Sequence, residues 1–275
     1  LLKSDQVIID LLTDSGTSAM SAGQWAGMLE GDESYAGSAS WSRMETVIRT
    51  LTGFEHILPT HQGRAAERIL YGYLGGKGKI FISNTHFDTT RANIEFSGAT
   101  AIDIPVSSSS HPSLPADFKG DIDTDKLEAL LRKHGSKKTA GVIITLTNNS
   151  GGGQPASMRN ITETAQICRR HGVRLFIDCC RIAENAYFIR HREKGQEGKT
   201  YKQIAREIFE LADGALMSAK KDGLVNMGGF LALKDRKLSD ACTNLLIITE
   251  GFTTYGGLSG RDMEAIAIGL EEIFD

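Results

Sequence analysis

Short apolar runs alternate with polar, glycine-bearing breaks along most of the chain. Apolar stretches of strand length occur at 79–83, 99–104, 141–146, 173–177, 215–217 and 228–233. Runs of that length, bounded by turn residues, predict buried strands. Between them, apolar residues recur at helical spacing over 20–29, 41–51, 125–134, 158–170 and 201–211. Gly135 and Gly172 follow two of these segments and predict helix C-caps there. The stretch 105–115 is rich in serine and proline and reads as a surface loop. The repeating order of strand, polar strand end and helix predicts an α/β fold with a mostly parallel sheet and helices on both faces.

Composition narrows the class without fixing the chemistry. The 275 residues suffice for one large α/β domain or two small ones. A hydrophobic fraction of 40% and a charged fraction of 24% are ordinary for a globular protein. A net charge of −3 gives no reason to expect nucleic acid or an anionic membrane as partner. No apolar run approaches the roughly 20 residues of a membrane span, and the first residues do not read as a signal peptide. Cys168, Cys179, Cys180 and Cys242 follow neither a zinc nor a disulfide spacing, so the adjacent pair reads as reduced, in a cytoplasmic protein.

The chemistry gathers where strands are expected to end. Phe87 and Asp88 follow the run at 79–83, Asn149 follows 141–146, Asp178 and Arg181 follow 173–177, and Ser218, Lys220 and Lys221 follow 215–217. In parallel α/β sheets ligands bind beyond the carboxyl ends of the strands, so neighbouring strands would bring these clusters into one pocket. A lysine pair between two core runs reads as the covalent anchor of an aldehyde cofactor at Lys221. Lys220 is then the neighbouring cation that lowers its pKa. Pyridoxal phosphate needs this set: an anchoring lysine, a carboxylate facing the ring nitrogen, an aromatic on the ring face, a polar group at the phenolic oxygen and a phosphate cup. Gln62, Gly63 and Arg64, at a turn leading into good helix formers, offer helix N-terminal amides and a guanidinium for that phosphate. Each residue alone also fits a structural role. Asp178 can cap a helix, Phe87 can sit in the core, Asn149 can hold a turn, and the lysines can lie on a solvated turn. The loop 13–17 can contact a ligand or cap the helix expected at 20–29.

Eight segments together resemble the β-eliminating lyases, in their tryptophanase and tyrosine phenol-lyase branches. They are LLTDSGT at 11–17, GDESYAG at 31–37, PTHQGRAAE at 59–67, HFDTT at 86–90, GGQP at 152–155, AENAYFI at 183–189, SAKKDGLVNMGG at 218–229 and EGFTTYGGLSGRDMEA at 250–265. The resemblance implies the large domain of a fold-type I pyridoxal-phosphate enzyme, with a mixed, mostly parallel sheet. It implies Lys221 as cofactor anchor and Cα base, Asp178 at the ring nitrogen and Phe87 stacked on the ring. Asn149 and Arg181 would face the phenolic oxygen, and Gln62, Gly63, Arg64, Ser218 and Lys220 would hold the phosphate. Thr13 and Ser15 would lie near the substrate carboxylate. Tyr35 would act as a general acid in a neighbouring subunit's site, and Gly16, Glu33 and Asn226 would bind a monovalent cation, usually K⁺. The family assembles as dimers and tetramers with shared active sites.

The implied reaction is carbon–carbon β-elimination of an aromatic amino acid. Asp88 matches the branch that cleaves tryptophan to indole, pyruvate and ammonia. The segments 225–230 and 260–265 stand closer to the branch that cleaves tyrosine to phenol. The resemblance divides the chain into an N-terminal segment, 1–50, with the substrate loop and subunit-contact residues, and a cofactor domain, 51–275. It also implies an N-terminal arm and a small C-terminal domain that the 275 residues do not contain, so cofactor binding with poor turnover is the expectation. A fold-type I aminotransferase or aldolase would share the lysine, the aspartate and the phosphate cup, but not Tyr35 or the cation positions. A non-catalytic cofactor-binding protein is the other alternative.

Overall fold

The computed structural model of the chain describes residues 3–8, 14–15 and 20–274. One sheet contains seven strands: β1 His56–Thr60, β2 Ile80–Ser83, β3 Thr100–Asp103, β4 Thr139–Thr145, β5 Leu175–Asp178, β6 Gly214–Ser218 and β7 Gly229–Leu233. Their order across the sheet is β1-β7-β6-β5-β4-β2-β3. β7 runs antiparallel to β1 and β6, and the other pairings are parallel. Each expected strand is present with its ends shifted by a few residues. β1 has no counterpart among the expected strands, because its run is short and carries Pro59. A proline cannot donate to a ladder, and β1 tolerates it at the sheet edge.

The helices are α1 Ala22–Leu29, α2 Ala39–Thr52, α3 Gly63–Leu74, α4 Asp88–Phe96, α5 Thr124–Lys138, α6 Met158–His171, α7 Ile182–Arg192, α8 Tyr201–Leu211, α9 Arg236–Thr249 and α10 Gly260–Glu272. Alternate strand residues point to opposite faces of the sheet, so every interior strand feeds two cores. Phe81, Ile143, Phe176 and Leu216 pack under α3, α4 and α9. Ile82, Ile144, Ile177 and Met217 pack under α2, α5, α6, α7, α8 and α10. Strands buried on both faces must be apolar throughout, which is why they read as continuous runs.

Local signals set the helix ends. The α1 cap is Ser21, whose Oγ accepts from Gln24 N at 3.0 Å while Gln24 Oε1 accepts from Ser21 N at 3.0 Å. The hydroxyl loop at 13–17 is therefore not the cap of this helix. Gly172 ends α6 at φ 63, and Gly135 breaks α5 at φ 68, both in the left-handed region that glycine enters freely.

α1 also supports the lysine turn from behind. Gln24 is fully buried, and its Nε2 donates at 3.0 Å to Gly223 O in that turn and at 3.0 Å to Ala265 O in α10. Gly269 of α10 leaves room for this approach, since a Cβ there would sit 2.1 Å from Gly223 O. Gln24→Leu would strand two buried carbonyls, and the expected loss of stability is about 2 kcal/mol in urea unfolding. An unchanged midpoint would show that these carbonyls have other partners.

Candidate active site

β6 stops at Ser218, and the chain turns through Ala219–Gly223 before reaching β7. Beside it, α3 begins at Gly63 with no side-chain cap on its N-terminus. The two elements touch through their backbones. A Cβ at Gly63 would lie 2.6 Å from Ser218 Cβ and 2.9 Å from Ser218 N, and a Cβ at Gly229 would lie 2.9 Å from Gly63 N. Only glycines allow this approach. It sets the unpaired first amides and positive end of α3 against the lysine turn, an arrangement suited to an anion.

A pocket opens at this junction. Ser15, Gln62, Gly63, Arg64, Phe87, Asp178, Arg181, Ser218, Lys220 and Lys221 line it. Ten of the expected site residues therefore meet at the carboxyl ends of β5 and β6 and at the N-termini of α3 and α4. Lys221 Nζ donates to Ser218 Oγ at 3.0 Å. Phe87 occupies the N-cap position of α4 without a side-chain cap bond, which leaves its ring on the pocket wall. Arg181 is buried and grips Asp14 with two bonds, Nε to Oδ2 at 2.6 Å and Nη2 to Oδ1 at 3.0 Å. That fork holds residues 14–15 at the pocket.

Other expected residues lie elsewhere. Asn149 opens a 3-10 turn, Asn149–Gly151, and is exposed outside the pocket lining. Its buried neighbour Asn148 holds that turn, accepting from Ser150 N at 3.0 Å and donating to Thr85 O at 2.8 Å. Asp88 is exposed at the start of α4, where its Oδ1 accepts from Thr89 N at 2.5 Å. Tyr35 is 71% exposed and stacks on Phe252, with ring centroids 5.7 Å apart. Glu33 accepts from Gly260 N at 2.8 Å and Arg261 N at 3.2 Å, so it serves the N-terminus of α10. Asn226 is exposed, with Nδ2 3.6 Å from Met20 Sδ. Thr13 and Gly16 lie outside the described residues.

Glu67, Thr145 and Cys180 also line the pocket, and none of them is a sequence candidate. Glu67 lies one helical turn beyond Gly63 and so shares its face of α3, a periodicity signal legible in the motif at 59–67. Thr145 ends β4, and its buried Oγ1 has no hydrogen-bond partner among the described residues. Cys180 Sγ accepts from Ser218 N at 3.1 Å, and burial pushes its thiol well above the usual range, so it serves structure rather than nucleophilic attack.

Burial dominates the electrostatics. Asp178 is 4% exposed, and burial pushes its carboxyl up, opposed by bonds from Cys180 and by the charges of Lys221 and Arg181. A cationic N–H facing Asp178 would relieve that desolvation. Asp222 is buried behind the lysines, where Oδ2 accepts from Ala183 N at 2.7 Å in the first turn of α7. Burial, with the charge of Glu184 adding to it, raises Asp222 to about 7. Leu224 closes the same turn at φ 53, an uncommon conformation for a residue with a Cβ. The pocket thus combines an anion cup, an amine, a buried carboxylate, an aromatic face and an unpaired hydroxyl.

Comparison with known proteins gives a consistent picture. The Beta-eliminating lyase family profile matches residues 10–270. The chain is 57% identical over 274 residues to the tryptophanase of Salinibacter ruber, covering 100% of this chain and 58% of that protein. It is 46% identical over 271 residues to the tyrosine phenol-lyase of Clostridium tetani, covering 98% of this chain and 59% of that protein. The chain thus spans less than two thirds of the length of these relatives. In structure it resembles the serine palmitoyltransferase of Sphingomonas wittichii, with a TM-score of 0.65 and 13% identity over 95% of this chain and 60% of that one. The fold is the fold-type I α/β architecture. Among the described residues, no helix is long and apolar enough to cross a membrane.

The buried carboxyls set a pH dependence for the chain without ligand. Burial raises Glu67 and Asp222 to about 7 from the ordinary carboxyl range of about 4. Between those limits the folded chain holds protons that the unfolded chain has released. Stability therefore falls as pH rises through this window and levels off above about 7. The melting midpoint is expected to drop from pH 5 to pH 8, and Asp222→Asn is expected to flatten the drop. A midpoint that climbs over this range would contradict the assignment.

Proposed function

This chain belongs to the β-eliminating lyase family, and we propose that it binds pyridoxal 5′-phosphate and carries out β-elimination of an aromatic amino acid. The proposed reaction is tryptophan to indole, pyruvate and ammonia. The observation that carries the cofactor reading is the pocket itself. It joins Lys221, buried Asp178 and the uncapped N-terminus of α3 across a glycine contact. The higher identity to a relative named tryptophanase, together with Asp88, supports tryptophan. The likeness to relatives named tyrosine phenol-lyase supports the second reading, tyrosine to phenol.

When bound, pyridoxal phosphate supplies an aldehyde that captures an amine and a ring that accepts the electron pair left at the substrate Cα. The chain supplies the rest. The amides of Gly63 and Arg64, the Arg64 guanidinium, Gln62, Ser218 and Lys220 bind the phosphate. Asp178 would hold a proton at the ring nitrogen, and Phe87 would cover one ring face. Arg181 and Asn149 would face the phenolic oxygen. Lys221, whose Nζ donates to Ser218 Oγ, would anchor the cofactor and move the Cα proton. Thr13 and Ser15 bind the substrate carboxylate, and Asp88 meets the indole N–H.

Tyr35 would act as a general acid in a second copy of the chain, in a homodimer or homotetramer. Glu33, Gly16 and Asn226 would share a K⁺ ion at that interface. In this division, residues 1–50 carry the substrate loop and subunit contacts, and 51–275 carry the cofactor. The four free cysteines support a reducing, cytoplasmic setting.

Mixing the chain with pyridoxal phosphate is expected to give a visible absorption band that borohydride fixes at Lys221. Lys221→Ala should abolish it. A band that survives Lys221→Ala sinks the anchor assignment. Pyruvate release should then be measured from tryptophan and from tyrosine, with and without K⁺. Indole formation that rises with K⁺ is expected, and phenol instead would select the second reading.

A further inference from the structure

Glu67 is 3% exposed yet lines the cofactor pocket, and the proposed reaction gives it no role. It projects from α3 one turn below the phosphate-binding end. Across the pocket wall, the Thr90 hydroxyl donates to Glu67 Oε1, and Asn93 Nδ2 donates to Glu67 Oε2 at 3.4 Å. Thr90 and Asn93 both belong to α4, the helix whose N-cap residue is Phe87. One carboxyl thus joins the helix that would hold the phosphate to the helix that carries the ring-facing aromatic.

We propose that Glu67 is a positioning residue for the cofactor ring: by bridging α3 to Thr90 and Asn93 it fixes α4, and with it Phe87, against the phosphate-binding end of α3. The inference rests on the pyridoxal-phosphate reading of the pocket.

The state of the carboxyl is tied to the same pocket. Burial pushes Glu67 up to about 7, bonds from Thr89 and Thr90 pull it down, and the charge of Asp178 pushes it up again. Asp178 faces this region from the end of β5 and Cys180 from the turn after it, and Lys221 faces Asp178 from the turn after β6. On its own helix, Tyr71 is fully buried, its hydroxyl without a partner among the described residues, and α4 offers the uncharged Thr89, Thr90 and Asn93. Two carboxylates in one dry pocket repel. Asp178 must be ionised to face a ring cation, so Glu67 keeps the proton. Once protonated it bridges α4 with the Thr90 bond reversed, its own O–H donating to Thr90 Oγ1 while its carbonyl accepts from Asn93 Nδ2, a role that glutamine fills with its own N–H and C=O.

The test uses Glu67→Ala and Glu67→Gln in the full 275-residue chain. Without cofactor, amide hydrogen exchange in α4 is expected to quicken about tenfold in Glu67→Ala and to change little in Glu67→Gln. With pyridoxal phosphate, Glu67→Ala is expected to bind about tenfold more weakly and to lose circular dichroism in the cofactor band, while Glu67→Gln stays within about twofold at pH 6. From pH 6 to pH 8 the wild-type chain should fall behind Glu67→Gln in affinity by up to about tenfold, as Glu67 ionises beside Asp178. Unchanged exchange and affinity in Glu67→Ala would overturn the proposal, as would a Glu67→Gln variant that behaves like Glu67→Ala. A wild-type chain that binds no pyridoxal phosphate overturns the cofactor reading, while exchange in α4 still decides the bridge.

Discussion

The contact of Gly63 with Ser218 and Gly229 is the constraint on which the site depends. Any side chain at Gly63 would drive the start of α3 away from the end of β6. The uncapped amides would then no longer face the turn that carries Lys220 and Lys221. The antiparallel strand β7 belongs to the same junction. It returns directly from the lysine turn, pairs with β6 and brings Gly229 under the first amide of α3. The anion cup is therefore built from backbone geometry first, and charged side chains are added to it.

Around that cup the chain places carboxyls in dry positions and gives each a different partner. Asp178 faces the cavity with little more than the Cys180 amide to satisfy it, which suits it to a cation from outside the chain. Asp222 is satisfied internally at the start of α7 and stiffens the lysine turn. Glu67 meets a hydroxyl and an amide from α4. Each carboxyl resists ionisation through burial, and the charge of Asp178 adds to the cost of ionising Glu67.

Much of the site was legible in the sequence because its residues follow the strands directly. A parallel α/β sheet delivers every strand's carboxyl end to one edge, so Asp178 after one apolar run and Lys221 after another must come close once the strands are neighbours. Gln62–Arg64 was legible as a glycine turn ahead of good helix formers. Glu67 was harder, because its meaning depends on α4 packing against α3, a contact between segments that share no local pattern. β1 was hidden by Pro59, whose tolerance depends on an edge position that only strand order reveals. Asn149 shows the converse. Its neighbour Asn148 takes the buried turn-holding bonds, a choice made by local packing.

The sequence by itself determined six of the seven strands and the helices between many of them, the lysine turn and the resemblance to β-eliminating lyases, because these depend on periodicity and on short contiguous motifs. The tertiary structure decided which strand ends adjoin, where the antiparallel strand enters and how closely α3 approaches β6. It also decided which carboxyls lose water. Those properties arise from contacts between residues distant in sequence, where burial and backbone approach are set by the packing of whole elements rather than by any one segment.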